Sequence, residues 1–225
     1  MINGILLLLC LIFVVGFIGN CGNCCKRCDS CKVEQSDNSK CSKFFGAADL
    51  KDQSFEKLNV YGAANLEDVK VAGDTEIKGV LNAKKCQFKE LEVLGAANIT
   101  DVRADEVEIM GATNAKELIA HDVEIKGATN ISNSTIENLK IFGALNVENS
   151  NIKDVKATAE KVVFKNSHVV SLDILKVTFF KKQKLELIDS TIDGNVKFEK
   201  DGGEIILYGK SVISGKVEGA TIIKK

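Results

Sequence analysis

Six cysteines fall within 21 residues: Cys21, Cys24, Cys25, Cys28, Cys31 and Cys41. The spacing Cys21-x-x-Cys24 and Cys25-x-x-Cys28-x-x-Cys31 is that of tetrahedral thiolate sites, because two intervening residues let both sulfurs reach one ion. No histidine is near, so zinc or an iron–sulfur cluster would need four thiolate ligands there. The Cys-Pro ligand of common iron–sulfur runs is absent from a chain with no proline. In an oxidising compartment the same thiols would pair instead. The sequence favours disulfides or lipidation over zinc at Cys24, Cys25, Cys28, Cys31 and Cys41.

The compartment depends on what precedes the cluster. Ile5 to Ile18 is an uncharged apolar run, shorter than the roughly 20 residues of a spanning helix and closer to the hydrophobic region of a signal peptide. Ile18-Gly-Asn-Cys21 resembles a bacterial lipoprotein cleavage site, with Asn20 where a small residue is usual, and this makes Cys21 the lipidation candidate. Residues 1–20 are therefore expected to be a signal peptide or membrane anchor, and residues 21–43 a cysteine-rich linker. Membrane association through residues 1–20 with export to the cell envelope is the expected location. The alternative is a cytoplasm-facing anchor, held by Lys26 and Arg27 through positive-inside bias.

Carboxylates also recur at a fixed spacing. Glu76, Glu92, Glu108 and Glu124 are 16 residues apart and are followed by Lys140 and Lys156. Stacked in register they would repel one another and invite a divalent cation or a basic partner. The preferred reading is a solvated face relieved by Lys78 and Lys126 two residues on. Tyr61, Leu94 and Met110 share another repeat position, either an exposed contact patch or a column turned partly inward at a corner. His121 and His168 match no repeated carboxylate–nucleophile arrangement. The loops over seven units are too short for the cleft of a polysaccharide-cleaving enzyme, and the chain is read as non-enzymatic.

The elements that position these residues come from one repeated phrase. Gly46, Gly62, Gly79, Gly95, Gly111, Gly127 and Gly143 are spaced by 16 residues, with one step of 17. Counting each glycine as position 0, Asp49, Asn65, Asn82, Asn98, Asn114, Asn130 and Asn146 occupy position 3. Apolar residues come in pairs two apart, at positions 2 and 4, 7 and 9, and 12 and 14, which is strand alternation repeated three times per unit. Sixteen residues cannot make a three-stranded hairpin layer and return in phase. They can make one triangular coil of a parallel β-helix, stacked on the next at about 4.8 Å. The asparagines would then form an amide ladder, and the extra residue near Gly73-Asp74 would be absorbed at a corner. The expected fold is an all-β, single-stranded parallel β-helix of roughly ten coils over residues 44–225. An irregular insertion is expected near residues 176–184. A second signature runs through Ser134, Ser150, Ser167 and Ser190, each followed two residues later by Ile or Val.

A net charge of −1 argues against a nucleic-acid partner. The low aromatic content suits a thin core of Val, Ile, Leu and Ala. At Glu124-Ile-Lys-Gly127-Ala-Thr-Asn130 and Ile213-Ser-Gly215-Lys-Val217-Glu-Gly219-Ala220 the chain resembles bactofilins, polymer-forming bacterial cytoskeletal β-helix proteins. The resemblance covers residues 44–225 in style and implies a right-handed triangular coil, the hand also expected for parallel crossovers. It implies a structural or scaffold protein, here membrane-associated and self-associating into a homo-oligomer or filament, since an open solenoid end exposes unpaired strand edges. The alternative is a surface adhesin or carbohydrate-binding β-helix lipoprotein.

Overall fold

The structure, a computed structural model, describes residues 34–35, 41–177 and 182–225, all within one compact unit. The cysteine cluster from Cys21 to Cys31 and the apolar run lie outside these residues. The described residues form strands and no helix. Long strands come first: Cys41–Lys51, Lys57–Glu67, Lys70–Lys84, Gln87–Met110 and Thr113–Lys126. Later coils break at their corners into shorter pieces such as Thr129–Ser132, Thr135–Phe142 and Leu145–Glu148. Each strand pairs in parallel with its equivalents one coil before and one coil after, as Leu145 does with Thr129 and Val162. Glu34–Gln35 alone pairs antiparallel, against Ser42 and Lys43. The result is a β-solenoid of about 11 turns with about 16 residues per coil. The turn beyond the expected ten begins with Ala220–Lys224, which pairs on Gly203–Leu207.

The apolar pairs point inward. In the coil that opens at Gly95, the six side chains Ala97, Ile99, Val102, Ala104, Val107 and Ile109 are all buried, and the same six positions stack along the axis as one core. Three faces follow, each two inward residues deep, joined by three corners of different chemistry.

The first corner is the glycine column. Gly111 has φ +153, and a Cβ built on it would lie 2.0 Å from the carbonyl oxygen of Gly95 in the coil before. Backbone thus stacks directly on backbone, and no side chain fits between. The second corner was not anticipated from the sequence. It falls at position 6, where Asp52, Asp68, Lys85, Asp101, Glu117, Asn133, Asn149, Asn166 and Asp189 all adopt φ between 47° and 56°. Asp and Asn tolerate this left-handed conformation better than other L-residues, which explains their predominance in the column. The third corner lies near positions 10 and 11 and absorbs the extra Gly73. The register shifts between Val71 and Asp74 there, and the Gly73 N–H donates to Glu56 O at 2.9 Å.

The serine signature has a structural role of its own. Ser134, Ser150, Ser167 and Ser190 are buried at position 7. Each Oγ accepts from the backbone N–H of the equivalent residue one coil earlier, from Leu118 N to Ser134 Oγ at 3.0 Å and Ser134 N to Ser150 Oγ at 3.0 Å. Each also donates to the carbonyl two residues back, Ser150 Oγ to Glu148 O at 2.8 Å. Cys86 stands at the same position and places its thiol 3.2 Å from Lys84 O in the same sense. Burial pushes that thiol's pKa up. Between His168–Ile174 and Lys184–Ile188 the described residues 175–177 and 182–183 are not strand, and the rest of the expected insertion lies outside the described residues. Buried Gln183 ties the two sides together, its Nε2 donating to Ala159 O and Leu175 O at 2.8 Å each.

Candidate functional site

A solenoid presents its outward side chains as columns, so its surface sites are ladders rather than clefts. The Glu76–Glu124 column is in register, with Glu76 beside Glu92 and Glu108 beside Glu124. Lysines interleave it. Lys78 reaches Glu76 at 2.7 Å, Lys126 reaches Glu108 and Glu124 at 3.0 Å each, and Lys140 reaches Glu124 at 2.9 Å. The hydrogen bond from Lys140, then that from Lys126, holds the Glu124 carboxyl below its ordinary pKa. The same contacts, with Glu108 first, raise that of Lys126. Among the described residues these lysine contacts thus reach Glu76, Glu108 and Glu124 but not Glu92. A second acidic column was missed in the sequence: Asp74, Glu90, Glu106 and Asp122 lie two residues earlier on the same face and are exposed. Their spacing was visible, but the inserted Gly73 hides the phase of the first. Among the described residues no group of three or more His, Cys, Asp or Glu side chains is placed to hold a metal ion.

The position-3 asparagines form the expected amide ladder, exposed along the neighbouring face. Asn82 Nδ2 donates to Asn65 Oδ1 at 2.9 Å, Asn98 to Asn82 at 2.9 Å, Asn114 to Asn98 at 3.2 Å and Asn130 to Asn114 at 3.0 Å. Asp49 ends it, accepting from Asn65 at 2.5 Å.

Tyr61, Leu94 and Met110 do not make one uniform patch. Tyr61 is half-buried, stacked on Phe45 with ring centroids 5.2 Å apart, and the ammonium groups of Lys43 and Lys78 each sit 5.1 Å from its ring centre. Lys78 then separates Tyr61 from Leu94 in the column. Leu94 is half-buried beside the glycine corner, whereas Met110 is exposed at 44%.

A broad, open depression lies on the face between the second and third corners. A groove of about 830 Å³ runs there from Gln87 to Val170. One wall carries Arg103, Ile119 and Thr135, and the other Asp105, His121 and Glu137. Its floor is the outer side of the strands where Phe88, Ala104, Ala120 and Ile136 turn their side chains into the core. His121 is held at both ring nitrogens, with Nδ1 2.6 Å from Asp122 Oδ2 and Nε2 2.9 Å from Glu137 Oε2. The Asp122 hydrogen bond, then the Asp122 and Glu137 charges, raises the imidazole pKa. Lys153 closes the chain at 2.7 Å from Glu137 and lowers that carboxyl's pKa in turn. Carboxylates thus engage both nitrogens of this imidazole. His168 lies further along, 2.7 Å from Asp193.

The cysteine candidates Cys21, Cys24, Cys25, Cys28 and Cys31 lie outside the described residues. Cys41 opens the first parallel strand, opposite Lys57. Among the described residues no helix is long and apolar enough to cross a membrane. No protein-family model, curated protein or solved structure matches this chain.

Proposed function

We propose that this chain is a structural rod, anchored at the membrane by residues 1–20, whose solenoids join end to end. The observation that carries the reading is the open core of the last turn. Ile222 stacks on Ile205 at an inward position that is buried in every coil before it, yet it is 43% exposed because no described coil covers it. Ile213 and Val217, also at inward positions, are half-exposed for the same reason. Lys225 N–H donates inward to Leu207 O at 2.9 Å, so by strand alternation the Ile222 and Lys224 N–H groups face outward as edge donors. At the other end, the outer edge of Cys41–Lys51 is paired among the described residues only at Ser42 and Lys43. Phe44 and Phe55 meet edge to face there, 6.4 Å apart, offering an apolar surface to stack on. Lys224 takes inward position 4 of the last turn, opposite Leu207. In a joint it would stack on the equivalent Leu50.

The test is sedimentation and electron microscopy of the full chain in mild detergent. Unbranched filaments that lengthen with concentration are expected. Ile222→Pro, which removes an outward donor without breaking an internal ladder bond, should leave short or single rods. Filaments that form equally well with Ile222→Pro would contradict a joint through this edge.

A further inference from the structure

The groove over Ala104 and Ala120 has no part in an end-to-end joint, and its chemistry is specific. The geometry points to a binding site for an extended, carboxylate-bearing glycan lying along the solenoid axis.

Length is the first argument. The groove crosses six coils, from Gln87 to His168, or about 24 Å at the strand spacing. That length suits a polymer rather than a compact metabolite. Its surface is the second. The exposed Ile119, 48% accessible, offers an apolar surface of the kind that packs on the C–H face of a sugar ring. Gln87, Thr135 and Asn151 on the wall are uncharged, and each side chain both donates and accepts, which matches hydroxyl groups.

Charge is the third. Arg103 is one of two arginines in the chain, the other being Arg27; the remaining 28 of its 30 basic residues are lysine. Arg103 is exposed on the wall of the groove. Among the described residues it joins none of the ion pairs that tie up His121, Glu137 and Lys153. A planar guanidinium with an open fork suits a carboxylate, which it can hold through two parallel hydrogen bonds. Asp105, two residues on, is likewise outside those pairs and can accept from a hydroxyl.

A peptide fits less well. The groove lies mid-sheet, where backbone donors and acceptors are already paired between coils. A peptide laid there would find no strand edge, and its own amides would lack backbone partners.

The experiment is calorimetric titration of the full chain with oligogalacturonate, with its methyl ester and with poly-glutamate as probes. Oligogalacturonate should bind, and the neutral ester at least about tenfold more weakly, the loss expected for one charge-assisted contact. Arg103→Gln, an exposed change outside any ion pair, should weaken oligogalacturonate by a similar factor. Lys116→Gln, the same charge change away from the groove, should leave it unaltered. No binding of oligogalacturonate to the unaltered chain would overturn the proposal. So would equal losses in Arg103→Gln and Lys116→Gln, which would mark diffuse electrostatics. Poly-glutamate binding as tightly as the glycan would show an acidic polymer site without the sugar recognition argued here.

Discussion

Gly111→Ala should damage the coil far more than its single added carbon suggests, and the structure supplies both the size and the control. The new Cβ would lie 2.0 Å from Gly95 O and 2.6 Å from Gly95 C. An ordinary carbon–oxygen contact is above 3 Å, so one coil must move by about 1 Å relative to the next. Overpacking of that kind costs about 1–3 kcal/mol. The backbone at φ +153 adds a conformational penalty of about 1–3 kcal/mol for a residue with a side chain. Together they predict a loss of about 2–6 kcal/mol. Gly202 isolates the second cost, because it sits at φ +90 with nothing within 4 Å of its built Cβ. Gly202→Ala should therefore lose only the conformational part. The assay is urea unfolding of both variants, followed by circular dichroism with hydrogen exchange to locate the loss. In a solenoid the loss should centre on the coils around Gly95 and Gly111. If Gly111→Ala is no worse than Gly202→Ala, the backbone-on-backbone stacking at the glycine corner is wrong.

Two further outcomes follow from the ladders. Ser150→Ala removes the acceptor of the buried Ser134 N–H and should cost about 1–3 kcal/mol, whereas Ser150→Cys, which reproduces the Cys86 arrangement, should cost less; thermal unfolding of the pair checks this. His121 should titrate above its ordinary 6.5 by nuclear magnetic resonance and return towards it in Asp122→Asn. Because its folded-state pKa is raised, its contribution to stability is fully present below about 6.5 and is lost as pH rises through the folded value. The exposure of the ring keeps that contribution small.

Much of this architecture was legible because a stacked coil converts sequence period directly into spatial column. The glycine spacing placed the first corner, and the apolar pairs two apart identified the six inward positions that prove buried. The asparagines at position 3 announced their ladder. What escaped notice depended on relations between coils. The left-handed corner at position 6 includes Lys85 and Glu117 among its Asp and Asn residues, so no single residue type advertised it. The serine signature was visible, but its function is to accept a buried N–H from the preceding coil, which no reading within one repeat can show. The groove is lined by positions 8, 9 and 10 of successive coils, residues that adjoin one another only when the coils are stacked. Two of the proposed contact residues, Tyr61 and Leu94, are partly covered because position 15 abuts the glycine corner and, at Tyr61, an aromatic partner.

The central claim is that the rod continues from one molecule into the next. Electron cryo-microscopy of the full chain assembled at high concentration tests it through the axial rise per subunit. About 11 turns at about 4.8 Å each predict a rise of about 53 Å, with strands perpendicular to the filament axis and the 4.8 Å spacing unbroken across the joint. Single rods at every concentration, or side-by-side assemblies with the last turn left open, would contradict it.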